Sequence, residues 1–248
     1  MTGPAPIDVM GVVIPVRSDH ESLLPRCLLA LEAAIVAVSG ALVFDRPLIE
    51  VVIVFTGGAG ASDSPAARWP LFARIDCGAG TIGAARRAGV RHFLAGQRTG
   101  DESALQRVWI ATTDADAAVP TNWLTTQLAY ARNRTELVLG TVHPDGVLSA
   151  AHRGGWSVRH ALRDGHPFVH AVNLGVRADR YLEAGEFTAR DGDEDLVLAQ
   201  SLRALRVSEA RTALIPVLAS GHLLGRSPAE MQGYLLLHRE DFQLGEGA

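Results

Sequence analysis

At 248 residues, with 48% hydrophobic and 20% charged residues, the chain can bury a sizeable core and is too apolar to be disordered. A formal charge of −4 and a pI near 6.1 lack the basic excess of a general nucleic-acid binder. The two cysteines, Cys27 and Cys77, are too few for a disulfide framework and read as small core residues in a reducing compartment.

The opening MTGPAPIDVM has neither the basic region nor the apolar run of a signal peptide, so the expected location is cytoplasmic. GVVIPV (Gly11–Val16) predicts a strand, followed by a helix from about Glu21 to Val38. The apolar stretch from Cys27 to Phe44 is interrupted by Glu32, Ser39 and Gly40. It therefore reads as a buried helix running into a loop, not as an integral membrane segment. VVIVF (Val51–Phe55) and LFARIDC (Leu71–Cys77) predict two further strands, a helix follows from about Thr81 to Leu94, and VWIATTD (Val108–Asp114) predicts a fourth strand. Near-continuous apolar strands alternating with helices predict a mostly parallel sheet covered on both faces, a three-layer α/β/α sandwich in one domain.

Beyond Asp116 a helix is expected from about Thr121 to Arg132, then a strand at ELVLGTV (Glu136–Val142). The segment Asp145–His166 is irregular and rich in Gly, His and Arg, long enough for a functional loop. HAVNLGV (His170–Val176) predicts a strand, Asp195–Arg206 a helix with Leu198, Leu202 and Leu205 on one stripe, TALIPVLA (Thr212–Ala219) a late strand and Pro228–Arg239 a closing helix.

Asp114-Ala115-Asp116 directly follows an apolar strand, where open α/β sheets bind ligands. Two carboxylates separated by one residue can approach a single hard cation, and Mg²⁺ is commonly held by one or two carboxylates plus substrate phosphates. Taken alone, the same pair also suits a solvated turn ahead of the next helix.

The surrounding run WIATTDADAAVPTNWL (Trp109–Leu124) resembles the signature of family 2 glycosyltransferases of the GT-A fold, with its D-x-D, Val-Pro and Trp-Leu in order. VVIPVR (Val12–Arg17) with LLPRCL is similar to the opening of that family's nucleotide half, and GAGTIGAARRAGV (Gly78–Val90) to the segment closing over the nucleoside. HAVNLGVRADRYLEAGEF (His170–Phe187) and DEDLVLAQSLR (Asp193–Arg203) resemble the acceptor-side stretch and the E-D motif. The resemblance spans residues 10 to 206 and implies a nucleotide-binding half at about 10–116 and an acceptor-binding half at about 117–248.

It further implies a sugar transferred from a nucleotide-sugar donor, UDP- or GDP-linked, with Mg²⁺ or Mn²⁺, to a small-molecule, glycan or lipid-linked acceptor. Asp114 and Asp116 would bind the metal, Asp116 as the more direct ligand, and Asp195 would be the general base. Pro15, Arg17, Glu21, Gly80, Arg86 and Asp114 fall on donor-binding positions, Asn173 and Glu194 on acceptor-binding ones. Each has a plain structural reading beside it. Asp193, Glu194 and Asp195 suit a helix cap, and Asn173 suits a buried tie. His222 is weighed as a further metal or phosphate ligand and read as structural, and the sequence leaves room for a homodimer. One departure stands out. After the second strand the family's Asp-rich turn is replaced by FTGGAGASD, with Asp63 displaced, which leaves the donor's base open.

Two other classes remain. Gly78-Ala-Gly80-Thr-Ile-Gly83 matches G-x-G-x-x-G, with Asp101 about twenty residues on, as in an NAD-type oxidoreductase. It follows the third strand, however, and Asp101 lies in a polar loop. A non-catalytic nucleotide-sugar-binding protein would keep the same fold. A nucleotidyltransferase would carry a Gly-rich loop after the first strand, where this chain has PVRSDHES.

Overall fold

The computed structural model describes residues 6–42, 45–57, 65–97, 102–144, 163–190 and 192–219. Strand β1 (Val9–Arg17) has its β-branched run buried from Met10 to Val16. A 3-10 turn (Ser18–Leu23) follows, and only then α1 (Leu24–Ala41). The single expected helix is thus divided. Pro25 has no N–H to donate and is tolerated only in a first turn, so the α-helix starts beside it.

Strands β2 (Leu48–Thr56) and β3 (Ala73–Asp76) precede α2 (Ile82–Gly96), whose N-cap Thr81 accepts the Ala84 N–H at 3.1 Å. A one-turn α3 (Glu102–Leu105), β4 (Val108–Thr112), a short β5 (Ala117–Ala118), α4 (Trp123–Arg132) and β6 (Leu137–Pro144) come next. A 3-10 turn (Ala171–Asn173) leads into β7 (Leu174–Arg177), then α5 (Ala178–Glu183), α6 (Glu194–Ala204) and β8 (Glu209–Ala219). The expected strand from His170 is therefore half turn and half strand. Residues 145–162 of the irregular segment, Asp101, His222 and the expected helix Pro228–Arg239 lie outside the described residues.

The strands form one sheet in the order β3-β2-β1-β4-β7-β6-β8-β5. β3, β2, β1 and β4 run parallel, β7 is antiparallel to both β4 and β6, β8 returns parallel to β6, and β5 caps the edge antiparallel to β8. The mostly parallel α/β/α sandwich expected from the sequence is what the chain forms. Because side chains alternate across a sheet, each strand feeds two cores. Met10, Val12, Ile14, Ile53, Phe55 and Trp109 pack with α1 and α4, while Val13, Val52, Val54 and Ile110 pack with α2, α5 and α6. The segment His20–Ala41 is long and apolar enough to cross a membrane by length and composition. Its Leu24, Leu28, Leu31 and Val38 are nevertheless fully buried in the first core.

Polar ties fix the sheet's reversal at β7. Trp109 Nε1 donates to Gln127 Oε1 at 2.8 Å, and Trp123 Nε1 donates to Asn173 Oδ1 at 2.8 Å. Asn173 Nδ2 in turn donates to the carbonyls of Thr141 (2.8 Å) and Ile215 (2.7 Å), joining α4, β6 and β8 at one buried amide. These side chains need space at the backbone. A Cβ on Gly140 would lie 2.2 Å from Asn173 Nδ2, and one on Gly175 would lie 2.1 Å from Gln127 Oε1 and 2.7 Å from Trp109 Nε1.

Gly175→Ala should therefore cost about 1–3 kcal/mol, the usual price of overpacking a closed interior. Urea denaturation reads this as a lower midpoint with an unchanged slope. An unchanged midpoint would mean that the Trp109–Gln127 tie can move aside.

Candidate active site

The first four parallel strands present their C-terminal ends together, and β4 ends at the two carboxylates. Ala117 N–H donates to Asp114 O at 3.1 Å, so the chain turns sharply between them. This turn sends the side chains different ways. Asp114, partly exposed, accepts a close ion-paired hydrogen bond from Arg86 Nη2. Asp116, 2% exposed, lies toward the turn after β1, with its Oδ2 4.0 Å from His20 Nδ1. Beneath the pair is the buried Cys27 thiol, pushed up by burial and then by the charges of Asp114 and Asp116.

Arg86 is the centre of the arrangement. It is 2% exposed, projects from α2, and its Nη1 makes a close ion pair with Glu194 Oε1 at the start of α6. Its guanidinium carbon lies 5.9 Å from the Phe187 ring centre. Burial alone would lower its pKa, but the charges of Asp114, Glu194 and Asp195 outweigh that and hold it above its ordinary range. Glu194 Oε2 accepts the Gly192 N–H at 3.0 Å, so both of its oxygens are engaged within the protein.

α2 reaches this position because of Gly83. A Cβ there would lie 2.1 Å from the Thr188 carbonyl oxygen, 2.8 Å from that of Arg190 and 3.0 Å from Glu194 Cβ. Gly80 has no such role. Its Cβ would meet only Ala84 Cβ, at an ordinary 3.9 Å. The close-approach glycine of the G-x-G-x-x-G run is the last one, and the partner is the chain leading to α6. The run itself follows the edge strand β3, unlike a dinucleotide fingerprint after a first, central strand.

Asp195 sits one residue beyond Glu194. Its Oδ1 accepts its neighbour Leu196 N–H at 2.8 Å, and its Oδ2 accepts Ala171 N–H at 3.0 Å. The Ala171 carbonyl in turn accepts a close hydrogen bond from Thr112 Oγ1 on β4. With both peptide groups of Ala171 committed sideways, residues 171–173 turn instead of extending β7. Burial, followed by the Glu194 charge, pushes the Asp195 carboxyl up to about 6. The two N–H bonds and Arg86 pull the other way without cancelling that rise.

Of the remaining residues singled out from the sequence, Pro15 is buried in β1 opposite Val54, Arg17 ends β1 exposed, and Glu21 lies half-buried in the following turn. Asn173 is 1% exposed with its amide used by Trp123, Thr141 and Ile215, so the geometry matches its buried-tie reading and leaves no ligand-facing group. His20, Thr112 and Ala171 join the site without a signal in the sequence. His20 lies in PVRSDHES between Arg17 and Glu21, but a single histidine there carries no spacing signal. Among the described residues no three His, Cys, Asp or Glu side chains gather into a self-sufficient metal cage. Asp116, with Asp114 beside it, offers the hard oxygen donors that fit an ion completed by phosphate and water.

Residues 11–157 match the model of glycosyl transferase family 2. No curated protein matches the sequence. Among solved structures, the chain is similar to TarS 1–349 of S. aureus, at 11% identity and a TM-score of 0.57, covering 86% of this chain and 60% of that one. TarS 1–349 has also been solved in complex with UDP-GlcNAc, with a TM-score of 0.55. GalNAc-T7 with UDP, GalNAc and Mn²⁺ is similar at 12% identity and a TM-score of 0.57, over 86% of this chain and 44% of that one. 4-Diphosphocytidyl-2C-methyl-D-erythritol synthase shares the fold at 15% identity and a TM-score of 0.50, over 84% and 89%. At these identities the likeness is one of fold, and a fold alone does not decide the reaction. The chain spans less than two thirds of the length of the first two relatives.

Arg86→Met should destabilise by about 3–5 kcal/mol, because it leaves carboxylates without their buried counter-charge. Adding Glu194→Gln to that variant should recover part of the loss, measured by urea denaturation at neutral pH. A double variant no more stable than the single one would show that the Arg86–Glu194 pair carries no such weight.

Proposed function

The chain belongs to glycosyl transferase family 2, and on that premise we propose that it transfers a sugar from a nucleotide-sugar donor to an acceptor hydroxyl, with inversion at the anomeric carbon. The observation that carries this reading is the frame that sets Asp195 beside the end of β4: Arg86 ties Asp114 to Glu194, the neighbour of Asp195, and Thr112 reaches Asp195 through the Ala171 peptide. One side of that frame suits a diphosphate and the other an incoming nucleophile.

Asp116 would hold a divalent ion with Asp114 adjacent, and such an ion supplies charge to the departing diphosphate. The support is the donor chemistry of the turn, together with relatives of this fold solved with UDP-GlcNAc or with UDP and Mn²⁺. Arg17, the last residue of β1, and Glu21 in the turn after it would meet the nucleotide. Asp195 accepts the proton of the acceptor hydroxyl as its oxygen bonds to the anomeric carbon. The bond from that carbon to the diphosphate oxygen breaks, and its electron pair leaves with the nucleoside diphosphate. A carboxyl near 6 is mostly ionised at neutral pH yet basic enough to take that proton. Its two N–H bonds fix the carboxylate before the acceptor arrives. The same site in a non-catalytic binding protein would keep the donor contacts without requiring Asp195.

Asp195→Asn should lower single-turnover transfer by about 10²–10⁴-fold, the range of a general base, while donor binding by calorimetry stays within about twofold. Wild-type transfer should fall as the pH drops through about 6, where Asp195 takes up its proton. The stability linkage has its own sign. With a folded pKa above the ordinary 3.8, Asp195 favours folding most at low pH and loses that contribution as pH rises through about 6. Loss of donor binding in Asp195→Asn would remove it from the base role.

Asp116→Ala should abolish the Mn²⁺-dependent part of UDP or GDP binding in calorimetry. Nucleotide binding that is equally tight with and without Mn²⁺ in the wild type would overturn the metal assignment.

A further inference from the structure

His20 has no part in the roles above, yet it lies beside the most buried carboxylate of the site. Its Nδ1 is 4.0 Å from Asp116 Oδ2, and the side chains are 26% and 0% exposed respectively. The imidazole is therefore the member of the pair that solvent reaches. A separation of 4.0 Å is too long for a direct hydrogen bond. Two atoms each about 2.1 Å from one ion stand about 3 Å apart at neighbouring octahedral positions and about 4.2 Å apart at opposite ones. The observed span falls within that range, so a modest adjustment would let both atoms share an ion.

Arg86 is directed away from this position. Arg86 is committed to Asp114 and Glu194, and the charges acting on it are those of Asp114, Glu194 and Asp195. The turn between Asp114 and Asp116 has divided the two carboxylates, one toward Arg86 and one toward His20. Donor type then bears on ion choice. Mg²⁺ keeps an oxygen shell, Mn²⁺ is served by oxygen donors but tolerates an imidazole nitrogen among them, and Zn²⁺ takes imidazole readily.

We propose that His20 Nδ1 and Asp116 Oδ2 flank a single ion position, so that the site takes a transition ion such as Mn²⁺ in preference to Mg²⁺. This rests on the reading above that Asp116 holds the donor's ion, and it adds a nitrogen ligand and a metal preference. Neutral His20 ligates through Nδ1 and keeps its proton on Nε2.

The test is pulsed electron paramagnetic resonance of Mn²⁺ bound to the full chain with UDP, comparing wild type with His20→Gln and His20→Asn. The expected result is nitrogen modulation from a directly bound imidazole in the wild type that disappears in both variants. Competition with Mg²⁺ should show the preference for Mn²⁺ falling at least about tenfold in the same variants. Circular dichroism confirms that the variants are folded. Mn²⁺ bound with UDP but without nitrogen modulation in the wild type would overturn the proposal and leave Asp116 as ligand. Modulation that persists in both variants would overturn it equally. A wild type that binds no Mn²⁺ with UDP would overturn both this proposal and the metal reading beneath it.

Discussion

A single buried guanidinium holds the two halves of the site in register. Arg86 lies where three separate parts of the chain meet: α2 that bears it, the turn after β4 and the start of α6. Removing a charge this far from water is expensive, and the two close carboxylates offset that cost only while all three parts keep their positions. The ion pairs thus act as a geometric constraint. They say less about net stability than about which arrangement of Asp114 and Glu194 the fold permits. A second, uncharged link runs parallel to it, from Thr112 through the Ala171 peptide to Asp195. β4 therefore controls the α6 terminus at two successive residues.

The fold makes these links available through the reversal at β7. Four parallel strands bring β4 to the middle of the sheet, and the antiparallel β7 beside it returns the chain toward the C-terminal end of β4. The turn before β7 is thereby delivered next to Thr112. Asn173 holds that turn from beneath, with one amide reaching Trp123, Thr141 and Ile215. On the opposite face, Gly83 lets α2 approach the backbone at 188–190 closely enough for Arg86 to reach Glu194. Small residues and buried amides set the distances, and the charged residues occupy the places so defined.

This division explains what was readable in the sequence. Apolar strand runs and helical stripes depend on local period, so β1, β2, β4, α2, α4 and α6 are all visible near their observed positions. Asp114, Asp116, Glu194 and Asp195 are visible because they sit in ordered motifs. The two-residue β5 has too few residues to show any period. The turn at 171–173 looks like strand because Ala-Val-Asn is apolar and β-compatible, and only the contacts of Ala171 with Thr112 and Asp195, 59 and 24 residues away, divert it. Gly80 and Gly83 are equivalent as letters in a glycine run; the packing partner that distinguishes them lies over a hundred residues later in the chain. Asn173 shows the converse, a motif position whose amide is consumed by the core.

The turn at Asp114–Asp116 also decides which neighbours each carboxylate meets. Had the chain continued as an extended strand, residues two apart would face the same side and both carboxylates would bear on one point. The Asp114 O–Ala117 N bond closes the chain instead. Asp114 is thereby brought to Arg86, which also holds Glu194, the residue whose charge, after burial, raises Asp195. Asp116 is turned toward the β1 side, with its Oδ2 4.0 Å from His20 Nδ1. Both charges still bear on the Cys27 thiol, so the turn separates the contacts of the two acids and not their fields. One short stretch of backbone therefore supplies an anchor for Arg86 and, two residues later, a carboxylate beside the imidazole of His20.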